Sequence, residues 1–286
     1  MFELIGCPMH YGVSDDGLKQ AIAALNERFP DLGIREIPEV DCAEDGLPNL
    51  KNLNSVIATC EAIAAEEDRV IRAGKTPLFI GGDHAAAMGS IAGAAANCEK
   101  LGLLWIDAHA DINTDITSIT GNIHGMPVSA VMGFGNERLC SIFGDHFDSL
   151  ELAKVKPQHA VLFGVRDLDP LEVEIVDRLG VRSYSYTEVM ERGIEVCLRE
   201  AMKYLCGTSR LHVSFDLDSM DPDIIKGVTV PVKSGFHEDD VLRMFGWLQG
   251  HCNLSSVDIV EYNPVYDTDG RTGEFVNTLI EKITKA

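Results

Sequence analysis

The sequence predicts an α/β protein of three layers, with helices on both faces of a mostly parallel central sheet. Three observations carry this expectation. Five short runs, residues 78–80, 103–106, 160–163, 211–215 and 257–260, are largely apolar, as strands covered on both faces are. Segments with helical spacing of apolar residues lie between them, which is the alternation of an α/β fold. Acidic and imidazole side chains then follow the runs directly, at the strand ends beyond which open parallel sheets bind their ligands.

Along the chain, residues 2–5 read as a first strand, and Leu18, Ile22, Leu25 and Phe29 fall on one face of a helix. A short second strand is expected at 34–37. The clearest helix carries Leu53, Val56, Ile57, Cys60, Ile63, Ala64, Val70 and Ile71 at 3.6-type spacing; Gly74 ends it and Pro77 opens the next strand. Asp83 reads as the cap of the Ala-rich helix that follows, and Asp221 before Pro222 as a turn former. Residues 133–156 have the weakest periodicity and are expected to form a surface excursion. No linker rich in Pro, Gly or Ser divides the 286 residues and no repeat is visible, so one domain over 1–286 is expected.

The balance of 45 acidic against 24 basic residues, a formal charge of −21, disfavours nucleic acid and anionic membranes as partners and favours a small cationic substrate. Eight cysteines lie scattered without a CxxC pair, which argues against a disulfide framework or a thiolate zinc site. No charged start followed by an apolar stretch opens the chain, and no apolar run approaches the ~20 residues that span a bilayer. A cytoplasmic location is expected.

Asp107, His109 and Asp111 follow the run 103–106 at a spacing of two, which on an extended backbone turns all three to one face. A polar turn after a buried strand accounts for one Asp; three alternating ligands ask for more. Asp216 and Asp218 repeat the plan after 211–215. Gly81 and Gly82 end the run 78–80 where a close backbone approach is possible, and Asp83 and His84 follow. Alone, His84 reads as a helix-start histidine. With the others it completes a set of four carboxylates and two imidazoles, without a thiolate. One ion would be overcharged by four Asp, whereas two ions bridged by shared carboxylates balance the charge, and oxygen-rich ligation favours Mn over Zn. Three further loops at the same sheet edge hold His124, Arg166 with Asp167, and Glu261. Their plain readings are a helix cap before Pro127, a structural ion pair and a surface carboxylate. Glu261, ending a buried run, faces either solvent or the metal cleft.

In chain order, GGDH, DAHADIN, GNIHG, GVRDLDP, SFDLDSMDP and EYNP resemble the signatures of the arginase family, in the ureohydrolase superfamily, over about residues 81–264. The resemblance implies that family's α/β/α fold and two Mn2+ per chain. His84, Asp107, Asp111 and Asp216 would hold one ion, and His109, Asp107, Asp216 and Asp218 the other, with Asp107 and Asp216 as bridges. It implies His124 as a proton shuttle, Glu261 as the carboxylate that pairs with a guanidinium, and Asp111 beside them in the catalytic set. Asn113, Ser118 and Thr120 match positions near a substrate α-carboxylate, and Asp169 and Glu172 positions near its α-amino group. The implied activity is hydrolysis of L-arginine to L-ornithine and urea by a hydroxide bridging the two metals, in a homo-oligomer, a trimer or hexamer. Departures from the pattern are Ala85 for a serine, Tyr262 for a smaller aliphatic residue, and residues 229–235 for a Gly-Thr-Pro-Val run and its glycine pair. The rival expectations are another ureohydrolase, acting on agmatine or formiminoglutamate, and a non-catalytic protein that binds arginine or metal as a regulator.

Overall fold

The strands are β1 (Phe2–Cys7), β2 (Arg35–Glu36), β3 (Thr76–Gly81), β4 (Leu101–Ile106), β5 (Ala160–Val165), β6 (Arg182–Ser185), β7 (Arg210–Asp216) and β8 (Leu254–Val260). All pair in parallel, in the order β2-β1-β3-β8-β7-β4-β5-β6. The computed structural model describes residues 1–44, 46–144 and 153–285. The helices are α1 (Ala21–Arg28), α2 (Leu53–Arg72), α3 (Ala87–Ala95), α4 (Pro127–Val131), α5 (Glu137–Cys140), α6 (Pro170–Leu179), α7 (Tyr186–Arg192), α8 (Ile194–Tyr204), α9 (Glu238–His251) and α10 (Arg271–Thr284).

Strand alternation divides the core into two layers. Leu103 and Trp105 of β4 pack with α2 to α6 on one face, and Leu104 and Ile106 pack with α1 and α7 to α10 on the other. The three-layer expectation therefore holds, with a sheet that is parallel throughout. Adjacent in its centre lie β3, β8, β7 and β4, strands far apart in sequence whose carboxyl ends open on one edge. Crossovers thus bring chemistry from residues 84, 107, 216 and 261 to a single place.

Some expectations are corrected. Leu18 belongs to a 3₁₀ turn, Asp16–Gln20, and α1 starts only at Ala21, although Leu18, Ile22 and Leu25 are all buried as their spacing requires. Strand β6 was not expected, because its sequence, Arg-Ser-Tyr-Ser, buries only Tyr184 fully at the sheet edge. The stretch 133–156 is not wholly a surface excursion: Leu139, Ile142 and Val155 enter the core, while residues 145–152 lie outside the described residues. Too few apolar positions at helical spacing announce that packing.

Helices α2 and α3 cross closely because α3 presents glycine. A Cβ on Gly89 would lie 2.5 Å from the Cys60 carbonyl oxygen, and one on Gly93 would lie 2.4 Å from the Glu67 Cβ. Glu67 is fully buried at this crossing and, among the described residues, neither carboxyl oxygen has a hydrogen-bond partner. Burial, then the nearby Asp258, push its pKa well above the ordinary value. A carboxyl with a raised folded pKa favours folding below its unfolded pKa of ~4.3, and that contribution is lost as pH rises through the folded pKa. Glu67→Met, unbranched and of similar length, should therefore stabilise the chain at pH 8 by about 1–3 kcal/mol, the cost of an unsatisfied buried polar group. Denaturant melts should show the gain shrinking towards pH 4.5; a variant less stable than wild type at pH 8 would refute it.

Candidate active site

Asp107 begins the loop after β4, and its two oxygens face different ways. Oδ2 lies 3.1 Å from His84 Nδ1, and Oδ1 lies 3.5 Å from His109 Nδ1. His84 Nδ1 also lies 3.2 Å from Asp111 Oδ2 and 2.9 Å from Asp216 Oδ2, while His109 Nδ1 lies 2.9 Å from Asp218 Oδ2. The structure thus gathers two clusters, one around each imidazole, and Asp107 belongs to both; His84 with Asp107 and Asp111, and His109 with Asp107 and Asp218, are each close enough to hold a cation.

The backbone does not stay extended through these ligands, contrary to the alternation argument. Strand β4 stops at Ile106, Asp111 has φ 47°, and Asp218 sits in the 3₁₀ turn Leu217–Ser219. A continuous strand would line Asp107, His109 and Asp111 along one row. The turn instead sends Asp111 to the His84 cluster and His109 to the other. Glu261 likewise has φ 66°. Left-handed backbone at non-glycine residues is strained, and here it is what turns Asp111 and Glu261 toward the site.

Several neighbours lock the ligands. Trp105 stacks on the His84 ring at 3.8 Å and donates from Nε1 to Asp107 Oδ2 at 2.8 Å. Asp107 Oδ1 accepts the His109 backbone N–H at 2.7 Å, and Asp216 Oδ1 accepts that of Asp218, also at 2.7 Å. His84 Nε2 meets Ser214 Oγ at 2.9 Å. Trp105 and Ser214 were missed as functional candidates. A signal for Ser214 existed, since His212, Ser214 and Asp216 share one strand face and the polar alternation extends back into β7.

The donor set fits metal ions. His84 Nδ1 is buried and faces three carboxylate oxygens within 3.2 Å, more acceptors than one N–H can satisfy and an arrangement that a cation would fill. Burial and the Asp218 and Asp107 charges push Asp216 well above the usual carboxylate range, and burial with Asp107 pushes Asp218 up to about 6. So much buried negative charge is relieved by cations, and hard carboxylates mixed with imidazoles suit divalent ones.

A cleft of about 300 Å³ opens over these clusters, lined by Asn113, Ser118, Thr120, His124, Asp169, Glu172 and Glu261 together with the metal-type residues His109, Asp111, Asp216 and Asp218. Glu261 Oε1 accepts the His84 N–H at 3.0 Å and lies 3.5 Å from His124 Nδ1; its Oε2 is buried and has no partner among the described residues. Burial opposes charge on His124, but the Glu261 carboxylate outweighs it and raises the imidazole pKa. Ser118 Oγ and Thr120 Oγ1 each accept a backbone N–H, from Gly121 and Asn122, which leaves both hydroxyl protons to donate. Asn113 is held between Asp169 and Thr117. Glu172 accepts from the Ile112 and Asp169 N–H groups, one on each oxygen, and burial pushes its pKa up to about 7. It braces the loop on the cleft floor.

Of the plain readings, Asp83 caps the 3₁₀ turn His84–Ala86 that leads into α3 rather than α3 itself, accepting from Ala85 N–H at 2.9 Å, and Asp221 does form a turn by accepting from Asp223 N–H. Arg166 and Asp167 form no ion pair among the described residues. Arg166 instead donates to the carbonyls of Asp218, Ser219 and Val232, clamping the loop that carries Asp218, and Asp167 lines the cleft. The departing residue Val230 also lines the cleft, and Thr229 Oγ1 accepts from Asn263.

A profile of the Arginase family matches residues 2–285. The chain belongs to the arginase family. It is 34% identical to the arginase of Bacillus subtilis strain 168 over 290 residues, covering 98% of this chain and 96% of that one. The solved structure of Bacillus caldovelox arginase superposes with a TM-score of 0.89 at 34% identity, covering 100% of this chain and 98% of that one. Entamoeba histolytica arginase, solved in complex with L-ornithine, matches with a TM-score of 0.89 at 28% identity, covering 100% and 98%. This arginase-family chain is a hydrolase acting on a guanidino C–N bond, and no helix among the described residues is long and apolar enough to cross a membrane.

Proposed function

We propose that this arginase-family enzyme hydrolyses L-arginine to L-ornithine and urea with two divalent ions, preferentially Mn2+. Its ligands would be His84, Asp107, Asp111 and Asp216 on one side and His109, Asp107, Asp216 and Asp218 on the other, and a homo-oligomer is the expected assembly. The observation that carries the reading is the juxtaposition, in one cleft, of two clusters sharing Asp107 with a carboxylate oxygen that has no partner. Bound there, two ions would lower the pKa of a water towards ~7 and make hydroxide available near neutral pH.

The chain's own residues do the rest. Glu261 is tied through Oε1 to the His84 N–H, which leaves Oε2 to pair with the guanidinium and hold its carbon over the metal clusters. An amine leaves well only when protonated, and His124, beside Glu261 and outside both clusters, is placed to give that proton. Elsewhere on the cleft lining, Ser118 and Thr120 donate to the α-carboxylate, and Asp169 attracts the α-ammonium. The L-ornithine complex of the Entamoeba histolytica relative supports an amino-acid product.

Agmatine tests this end of the cleft, because it offers the same guanidinium and lacks only the α-carboxylate. A site built for polar groups loses ~1–3 kcal/mol for each buried partner left unsatisfied, so arginine should lead by at least roughly tenfold in kcat/KM. Urea release from arginine and agmatine, and hydrolysis of formiminoglutamate, on Mn2+-reconstituted protein measure it. Equal values for arginine and agmatine, or faster turnover of formiminoglutamate, would overturn the arginine assignment; tight arginine binding without turnover would favour the regulatory reading.

A further inference from the structure

On the side of the His84 ring away from the carboxylates, a line of polar groups runs into the core between β7 and β8. His84 Nε2 meets Ser214 Oγ at 2.9 Å, and Ser214 Oγ donates to Asp258 Oδ2 at 3.5 Å. The same oxygen accepts from Ser90 Oγ at 2.6 Å and lies 3.0 Å from His212 Nε2, whose Nδ1 in turn lies 2.6 Å from Ser256 Oγ. Every one of these groups is buried. Sheet register explains the line: Ser214 pairs with Asp258 and His212 with Ser256, and the next residue on that face of β7 is the ligand Asp216.

Stability alone gives no reason for this arrangement. The other faces of these strands are filled by Val213, Phe215, Val257 and Ile259, and apolar residues at 214 and 258 would avoid the desolvation of a carboxylate. What the line does is orient. A neutral imidazole whose Nε2 hydrogen is donated to a hydroxyl keeps its lone pair on Nδ1, the atom that faces Asp107, Asp111 and Asp216.

We propose that Asp258 is a positioning residue for the His84 metal site, acting through the Ser214 hydroxyl to fix the tautomer and angle of His84, with Ser90 and His212 holding Asp258 in place. This is a carboxylate–histidine–metal arrangement with a hydroxyl inserted between the first two members. It rests on the reading of the cleft as a two-metal centre. The effect is local to one ion, because among the described residues His109 has no buried carboxylate linked behind its ring.

The test is Mn2+ titration against a competing chelator on the full chain, with wild type, Asp258→Asn, Ser214→Ala and the double variant, each checked for folding by circular dichroism and thermal melting. Each single change should weaken one of the two ions by roughly 10–100-fold and leave the other unchanged. The double variant should be no worse than the weaker single, since both cut one chain of contacts; independent structural damage would add. Ser214→Ala removes one hydroxyl, so its result decides the matter if Asp258→Asn fails to fold. Unchanged affinity, equal weakening of both ions or additive losses would overturn the role of Asp258. A wild type that binds no Mn2+ would instead overturn the two-metal reading, and this inference with it.

Discussion

Asp107→Asn should leave the chain unable to hold a cation tightly at either cluster, with Mn2+ uptake falling from the proposed two ions per chain to fewer than one. The reason is geometric. Asp107 Oδ2 serves the His84 cluster and Oδ1 the His109 cluster, so one substitution touches both. Asparagine also presents an amide donor to one of two imidazole nitrogens that need an acceptor or a cation, and it removes one of the negative charges that attract divalent ions. Losing a mere hydrogen-bonding neighbour of a metal ligand costs roughly 10–100-fold in affinity, and a direct ligand to both ions should exceed ~100-fold at each. Asp218→Asn is the control. Of the two imidazoles at the clusters, Asp218 meets His109 and not His84, so one ion should weaken and the other persist. Equilibrium dialysis with metal analysis reads both, and an Asp107→Asn protein that still carries two ions would refute the shared-ligand geometry.

The clusters were legible in the sequence because their residues crowd the ends of strongly apolar runs, and crossover topology makes such ends converge. The β6 edge of the sheet was not: Arg-Ser-Tyr-Ser lacks the apolar content by which a buried strand declares itself. Alternation alone did not give the division of labour within 107–111, since it assumes extended backbone and Asp111 turns left-handed; that division came only from the family resemblance. Arg166 shows a third limit. Adjacent opposite charges suggest a pair, but a guanidinium with five donors found the carbonyls of two distant loops that no local pattern could announce. Alternation in β7 marked Ser214 as inward and polar, but its link to Asp258 depends on strand register, which no local pattern gives.

His124→Ala should lose ~100- to 10,000-fold in kcat while both ions stay bound, because general acid groups contribute on that scale and His124 belongs to neither cluster. Its position is secured independently of metal. The turn Ile123–Gly125 carries it, and its backbone N–H donates to the Gly12 carbonyl at 3.2 Å, tying the loop after β4 to the loop after β1. Truncating the ring therefore leaves the backbone contact intact. The sign of the pH effect follows from the neighbour. The Glu261 carboxylate raises the His124 pKa, so the proton-bearing form persists to higher pH than in a free histidine and turnover should fall as that proton is lost. His124→Ala should lack this alkaline fall, whereas Glu261→Gln, which removes the charge, should move it to lower pH and raise KM as well. Rates from pH 6 to 10 on Mn2+-loaded protein, with metal content measured alongside, separate these outcomes. An unchanged kcat profile in His124→Ala would show that the departing amine takes its proton from another source.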